Sequence, residues 1–290
     1  QEAYRLAYIR KPEFMGNTRT EEKDPKFKVI SDLPWCEQEI NERLAAYRQL
    51  SDKVEQEWHA LPAQKKETYF QLVKYPVQAA AQMNNKLLTA QLARHGKADW
   101  ADSDRAYDSI VSLTKTYNTT KWNRMMDFQP RRLLVFNRVE RKALSSGLLE
   151  KPQAVYTWNG ADCVEGASVI CEGLGYEGKA VAVEKKKELT FEFAAWETDS
   201  VEVEVRLLPN HPVEGERLRF TISLDGSATE AVSYETKGRS EEWKENVLCN
   251  QAVRRMILPV ARKTSHRLIF TALDEGVVLD QIYLYTPRIK

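Results

Sequence analysis

The stretch LPAQKKETYFQLVKYPVQAAAQMNNKLLTAQLAR, residues 61–94, is the longest in the chain with unbroken helical spacing of apolar residues. Phe70, Val73, Val77, Ala80, Ala81, Leu87 and Leu88 recur at separations of three, four and seven, which places them on one broad face of a 3.6-residue period. It is expected to be the central helix. Pro62 suits the first helical turn, where a missing N–H costs nothing. Pro76 conflicts with the pattern, because an interior proline deletes one hydrogen bond and clashes with the preceding turn, at a cost of about 3 kcal/mol or more. Either a kink at Lys74–Tyr75 or two coaxial helices should follow. Ala79, Ala80 and Ala81 lack bulk, so another helix can approach there, and Asn84 and Asn85 should face solvent or a partner domain.

Working outward, residues 1–34 hold no period for more than a few positions and read as an ordered but irregular lead-in. The charged run 19–28 is expected as a solvated loop. From Pro34-Trp35 a helix should begin, with Ile40, Leu44, Tyr47, Val54, Trp58 and Leu61 on a heptad-like stripe, packed antiparallel on the central helix. His95-Gly96-Lys97 supplies a cation and a glycine stop. A third helix is expected at about 102–117, capped by Asp102 or Ser103, burying Tyr107, Ile110, Val111, Thr114 and Tyr117. Residues 35–136 are thus a helical bundle, and 137–153, with Ser145-Ser146-Gly147 and Pro152, a linker.

Beyond Pro152 the period changes. Strands are expected at 154–158, 180–183, 189–193, 201–207, 218–224, 231–234, 247–249, 267–273 and 277–285, with turns at Asn159-Gly160, Asp225-Gly226 and Glu275-Gly276. Such a series without helices between its members indicates a jelly-roll-like β-sandwich over 154–290. The fold class is a multidomain chain, α then β.

The chain has 290 residues, and its 43 Lys+Arg against 42 Asp+Glu argue against a nucleic-acid binder that works by bulk phosphate attraction. Cys36, Cys163, Cys171 and Cys249 show no CxxC spacing and the four histidines are scattered, so neither a metal nor a cofactor is expected. Cys163 and Cys171 are near enough to pair under oxidising conditions, and isolated thiols are the other reading. No apolar run reaches the roughly 18 residues of a membrane span, and the start QEAYRLAYIRK, neither a signal peptide nor an initiator, suggests a piece of something longer.

No GxSxG, HExxH, phosphate loop or dinucleotide fingerprint occurs, so no motif-level route to catalysis is present. One dense polar-aromatic run stands out after the third helix: Lys121, Trp122, Asn123 and Asp127, with Met125 and Met126 among them. Either it forms a ligand-facing loop, or Trp122 and the methionines cap the bundle core while Asn123 and Asp127 satisfy backbone groups.

Four runs in order, RLAYIRKPEFMG (5–16), FQLVKYPVQAAAQMN (70–84), KWNRMM (121–126) and DEGVVLDQI (274–282), resemble the C-terminal part of glycoside hydrolase family 115. The resemblance covers nearly the whole chain. It implies an inverting α-glucuronidase of the xylan α-1,2-glucuronidase type, which removes glucuronic acid or its 4-O-methyl form from xylan or a related plant glycan. It further implies a catalytic (β/α)8 barrel ahead of the bundle and sandwich, in a periplasmic or secreted bacterial protein. The catalytic carboxylates would lie in the barrel, so these 290 residues alone are expected to be inactive. On that reading the bundle buttresses the barrel, with Trp122 offering a stacking face to a sugar and Lys121 a charge for a uronate. Two other readings are a carbohydrate-binding module, whose sandwich presents Trp158, Tyr176, Trp196 or Trp243, and a module serving oligomerisation, such as a homodimer.

Overall fold

The computed structural model describes residues 1–19, 22–127, 133–144, 147–166, 169–235, 238 and 240–287. The chain divides into two compact units, Gln1–Lys151 and Pro152–Lys290. In the first, α2 (Glu37–Ala60) and α5 (Trp100–Asn118) pack on α4 (Tyr75–Arg94). The lead-in is more regular than its sequence suggests: Glu2–Ile9 forms α1, whose buried Leu6 meets Tyr47 and Ala81 beside Ala46 and Ala80. Two helical turns are too few for the 3.6-residue period to show.

The central helix resolves the Pro76 conflict by widening. Ala63–Tyr69 forms α3 with Pro62 as its N-cap, Phe70–Lys74 is a π-helix, and α4 follows with Pro76 in its first turn. The Tyr75 N–H donates to Phe70 O, five residues back. A π turn carries one extra residue, which shifts the carbonyls that a proline ring would otherwise strike. Phe70, Ala81, Leu87 and Leu88 are buried as expected, whereas Val73, Val77 and Ala80 are half-buried.

Asn84 is not at the surface. It is fully buried and accepts at 2.6 Å from Nε of the equally sequestered Arg43, whose other arm donates to Arg10 O. The helix cap also differs from expectation: Asp99, not Asp102 or Ser103, accepts from the Ala101 N–H, while Ser103 donates to Lys86 O. Residues 137–151 belong to the first unit. Val139 is buried, the Leu144 N–H donates to Arg94 O at 2.8 Å, and Lys151 reaches Glu39. Thr20 and Glu21 of the charged run, Pro130-Arg131-Arg132 before Leu133, and Ser145-Ser146 lie outside the described residues.

The second unit is a two-sheet antiparallel sandwich. One sheet runs β2 (Val169–Glu172), β3 (Lys179–Val183), β11 (Val277–Tyr285), β5 (Ser200–Leu207), β9 (Ala252–Pro259), with β1 (Tyr156–Asn159) also on β11. The other runs β4 (Glu188–Ala194), β10 (Ser265–Ala272), β6 (Arg219–Leu224), β7 (Ser227–Ala228), with β8 (Val232–Ser233) on β6. Alternate residues of each strand face inward, so Phe191, Val203, Phe220, Phe270 and Ile282 meet in a core with no solvent exposure. Asp225 and Gly226, both at positive φ, make the tight β6–β7 hairpin.

Three strands, β2, the two-residue β7 and β9, went unpredicted, and 247–249 is the end of a helix, α6 (Glu241–Cys249). Ser240 caps it, accepting from the Trp243 N–H at 3.1 Å, and Asn250 closes it in the left-handed region.

Candidate functional site

The polar-aromatic run forms an exposed turn at the end of α5. Thr119 and Thr120 hydroxyls donate to Thr116 O and Tyr117 O, and the Trp122 N–H donates to Thr120 Oγ1 at 3.2 Å. The Met125 N–H donates to Trp122 O, and Arg124 takes φ of +61°. Asn118 fixes the exit: its side-chain amide donates to Met126 O at 2.8 Å, and its oxygen accepts from the Met126 N–H at 3.2 Å. Asn118, which the sequence did not single out, thus satisfies both backbone groups of Met126.

Trp122 is 38% exposed and Met125 60%, so these two of the side chains expected to cap the core lie at the surface, whereas Met126 is half-buried. The Lys121 ammonium stands 5.5 Å above the Trp122 ring and 3.7 Å from a Glu67 carboxylate. Lys121, Trp122, Asn123 and Asp127 are all exposed on this turn. Chemically it offers an indole with a cation beside it, which can stack on a sugar and pair with a carboxylate. Arg124, within the same run, is a further exposed cation there.

Of the carboxyl groups, burial pushes Asp280 up, although Gln251 and the Tyr176 N–H partly offset this. Asp280 lies at the irregularity of β11, 1% exposed, and accepts from Gln251 Nε2 at 2.7 Å. It is sealed and hydrogen-bonded, which suits a structural group rather than a general acid that must reach a substrate. Lys86 is equally sequestered: its ammonium donates to Val135 O at 2.5 Å and Asn137 O at 2.8 Å, and burial pulls it down to about 7. It ties residues 135–137 to α4.

In the sandwich, Trp158 stacks on Tyr156 at 5.5 Å and packs on the core, and the Tyr176 hydroxyl donates to Cys249 O. Trp243 is half-buried on α6. Trp196 lies in the β4–β5 loop, edge-on to Phe193, and lines two cavities of about 400 and 280 Å³. In the first unit α1, α2 and the π segment bound an apolar groove of about 800 Å³, flanked by the exposed Tyr4 and Leu72. All four cysteines are free thiols, and among the described residues no cluster of three or more His, Cys, Asp or Glu is arranged for a metal. No described helix is long and apolar enough to cross a membrane.

Comparison with known proteins fits this two-unit arrangement. The glycosyl hydrolase family 115 C-terminal domain matches residues 167–290. The structure of BtGH115A, a family GH115 4-O-methyl-alpha-glucuronidase with specificity for decorated arabinogalactans, is 61% identical, with a TM-score of 0.95 over 98% of this chain. The chain spans 38% of that glucuronidase. A family 35 carbohydrate binding module from an environmental isolate (11% identity, TM-score 0.36) covers 47% of this chain and 99% of its own. The family 6 module of a Cellvibrio mixtus lichenase (13%, 0.35) covers 47% and 100%, and neither likeness is close enough to carry an argument. No curated protein matches the chain. The chain belongs to glycoside hydrolase family 115, of which it carries the C-terminal helical and β-sandwich part.

Proposed function

We propose that the chain is the accessory C-terminal region of an α-glucuronidase that removes glucuronic acid or 4-O-methylglucuronic acid side chains from xylan or a related plant glycan such as a decorated arabinogalactan. The observation that carries this is the 61% identity, sustained over 98% of the chain, to a 4-O-methyl-alpha-glucuronidase. The bond is broken by a catalytic barrel of the same parent chain, and these residues do not turn over substrate alone. The sealed state of Asp280, the carboxyl driven upward, supports this division of labour.

The turn of Lys121, Trp122, Asn123 and Asp127 is the part that reaches the rim of the active site, with Trp122 against a sugar ring and Lys121 near the uronate. The parent works in the periplasm or outside a bacterial cell, which fractionation of the source cells would check. Release of uronic acid from glucuronoxylan and from gum arabic, measured for the parent and for these 290 residues, tests the reading. Activity should appear with the parent alone; turnover of an aldouronic acid by the shorter chain would overturn it.

A further inference from the structure

Trp196 is held more firmly than packing alone requires. Its Nε1–H donates to Thr198 Oγ1 and to Ser200 O, both at 2.9 Å, while Phe193 meets the indole edge-on at 5.8 Å and Tyr156 lies 6.3 Å away. The ring is therefore a rigid wall that loses little freedom when a ligand settles on it. The cavity of about 400 Å³ that it lines has a polar rim drawn from two loops: Glu197, Thr198 and Asp199 before β5, and Arg262 and Lys263 before β10. That volume falls in the range of about 300–1,000 Å³ typical of small-molecule sites.

The rim carries two acids and two bases around one aromatic wall. With its charges balanced, it suits a ligand rich in hydroxyls, which donate to Glu197 and Asp199 and accept from the cations, better than a bare polyanion. A pyranose has the further property the wall needs, a face of C–H groups that complements the electron-rich face of an indole. Lys263 stands 3.6 Å from Asp225, whereas Arg262 has no ion pair among the described residues. Its planar fork is thus available for a ring carboxylate.

We propose that the Trp196 cleft is a saccharide subsite on the sandwich, with Trp196 as stacking platform and Arg262 as the reader of a uronate carboxylate. This rests on the reading of the chain as part of a glycan-degrading protein, but places binding on the second unit rather than on the turn after α5.

Affinity electrophoresis of the 290-residue chain in gum arabic, glucuronoxylan and neutral arabinoxylan tests it. The chain should be retarded, most strongly by the two acidic polymers. Trp196→Ala should weaken retention about tenfold. Arg262→Ala should remove the preference for acidic over neutral polymer; it is a surface change, and decides the matter if Trp196→Ala fails to fold by circular dichroism. Unchanged mobility in all three polymers would overturn the proposal, as would wild-type retention in a folded Trp196→Ala or in Arg262→Ala. Loss of retention in Trp122→Ala instead would move the site to the turn, overturning this inference while leaving the proposed function in place. A parent that releases no uronic acid, beside a chain that still binds through Trp196, would separate the two in the other direction.

Discussion

Single residues decide how the helical unit is held, and several of them are charged. Arg43 fills a place among the rings of Trp35 and Tyr47 and donates to acceptors on two buried residues, Asn84 and Arg10. Arg43→Met should therefore destabilise the unit by about 3 kcal/mol, read from urea unfolding, because Asn84 Oδ1 and Arg10 O lose a donor. A loss below about 1 kcal/mol would show that water replaces the guanidinium. Lys86 gives a pH signature. Its folded-state value, about 7, lies below the ordinary 10.5, so between these the unfolded chain binds more protons than the folded one. Stability should rise with pH across that window, by up to about 1.4 kcal/mol per pH unit. Lys86→Met should flatten the slope relative to the parent sequence between pH 7.5 and 9.5; an unaltered slope would refute the burial argument. Neither residue was legible in the sequence, where a hydropathy pattern scores Arg43, Asn84 and Lys86 as surface. The turn residues were legible as a dense polar-aromatic run, and Trp122 is exposed there. In the parent enzyme, Trp122→Ala should raise KM about three- to tenfold with kcat nearly kept; kinetic constants that do not move would remove the turn from the site.

At the level of elements, the long apolar period of residues 61–94 located the central helix, and Pro76 marked where it would deviate. The form of the deviation, a π turn rather than a kink, depends on which carbonyls the neighbouring helices leave room for, and no spacing rule contains that. Hydrogen exchange should reveal it: amides of Phe70–Lys74, with looser hydrogen bonds and Leu72 exposed at 73%, should exchange at least about tenfold faster than those of residues 83–93. Equal protection would mean that the widened turn costs nothing. The strands were legible where apolar residues alternate without interruption, as in β5 and β10. β9 escaped because VRRMI breaks the alternation with two adjacent arginines, and Arg255 is held by Glu204 across the sheet. The run at 247–249 misled because three residues cannot separate strand from helix; the better signal lay upstream, in Ser240 followed by Glu241 and Glu242 at a helix start.

For the molecule as a whole, the change of rhythm near Pro152 coincides with the division between the two units. The sandwich core is drawn entirely from residues 181–284, so residues 152–290 alone should give a β-type circular dichroism spectrum and one cooperative thermal transition. A spectrum without strand signal would mean that the core as described is insufficient. The Trp196 cleft was half legible: the tryptophan could be named as a candidate, but Arg262 and Lys263 come from a loop more than sixty residues away, and only the sheet topology brings them to the same cavity.

The order in which strands are joined has a consequence for biosynthesis. β11 hydrogen-bonds with β1, β3 and β5, yet it is the last of the strands to leave the ribosome. Until Val277–Tyr285 emerges, the larger sheet exists as disconnected pieces with open edges, and β3 and β5 lack the strand that joins them. A nascent chain whose emerged part ends in the β10–β11 loop therefore presents those open edges, and the next nine residues supply the strand that closes them.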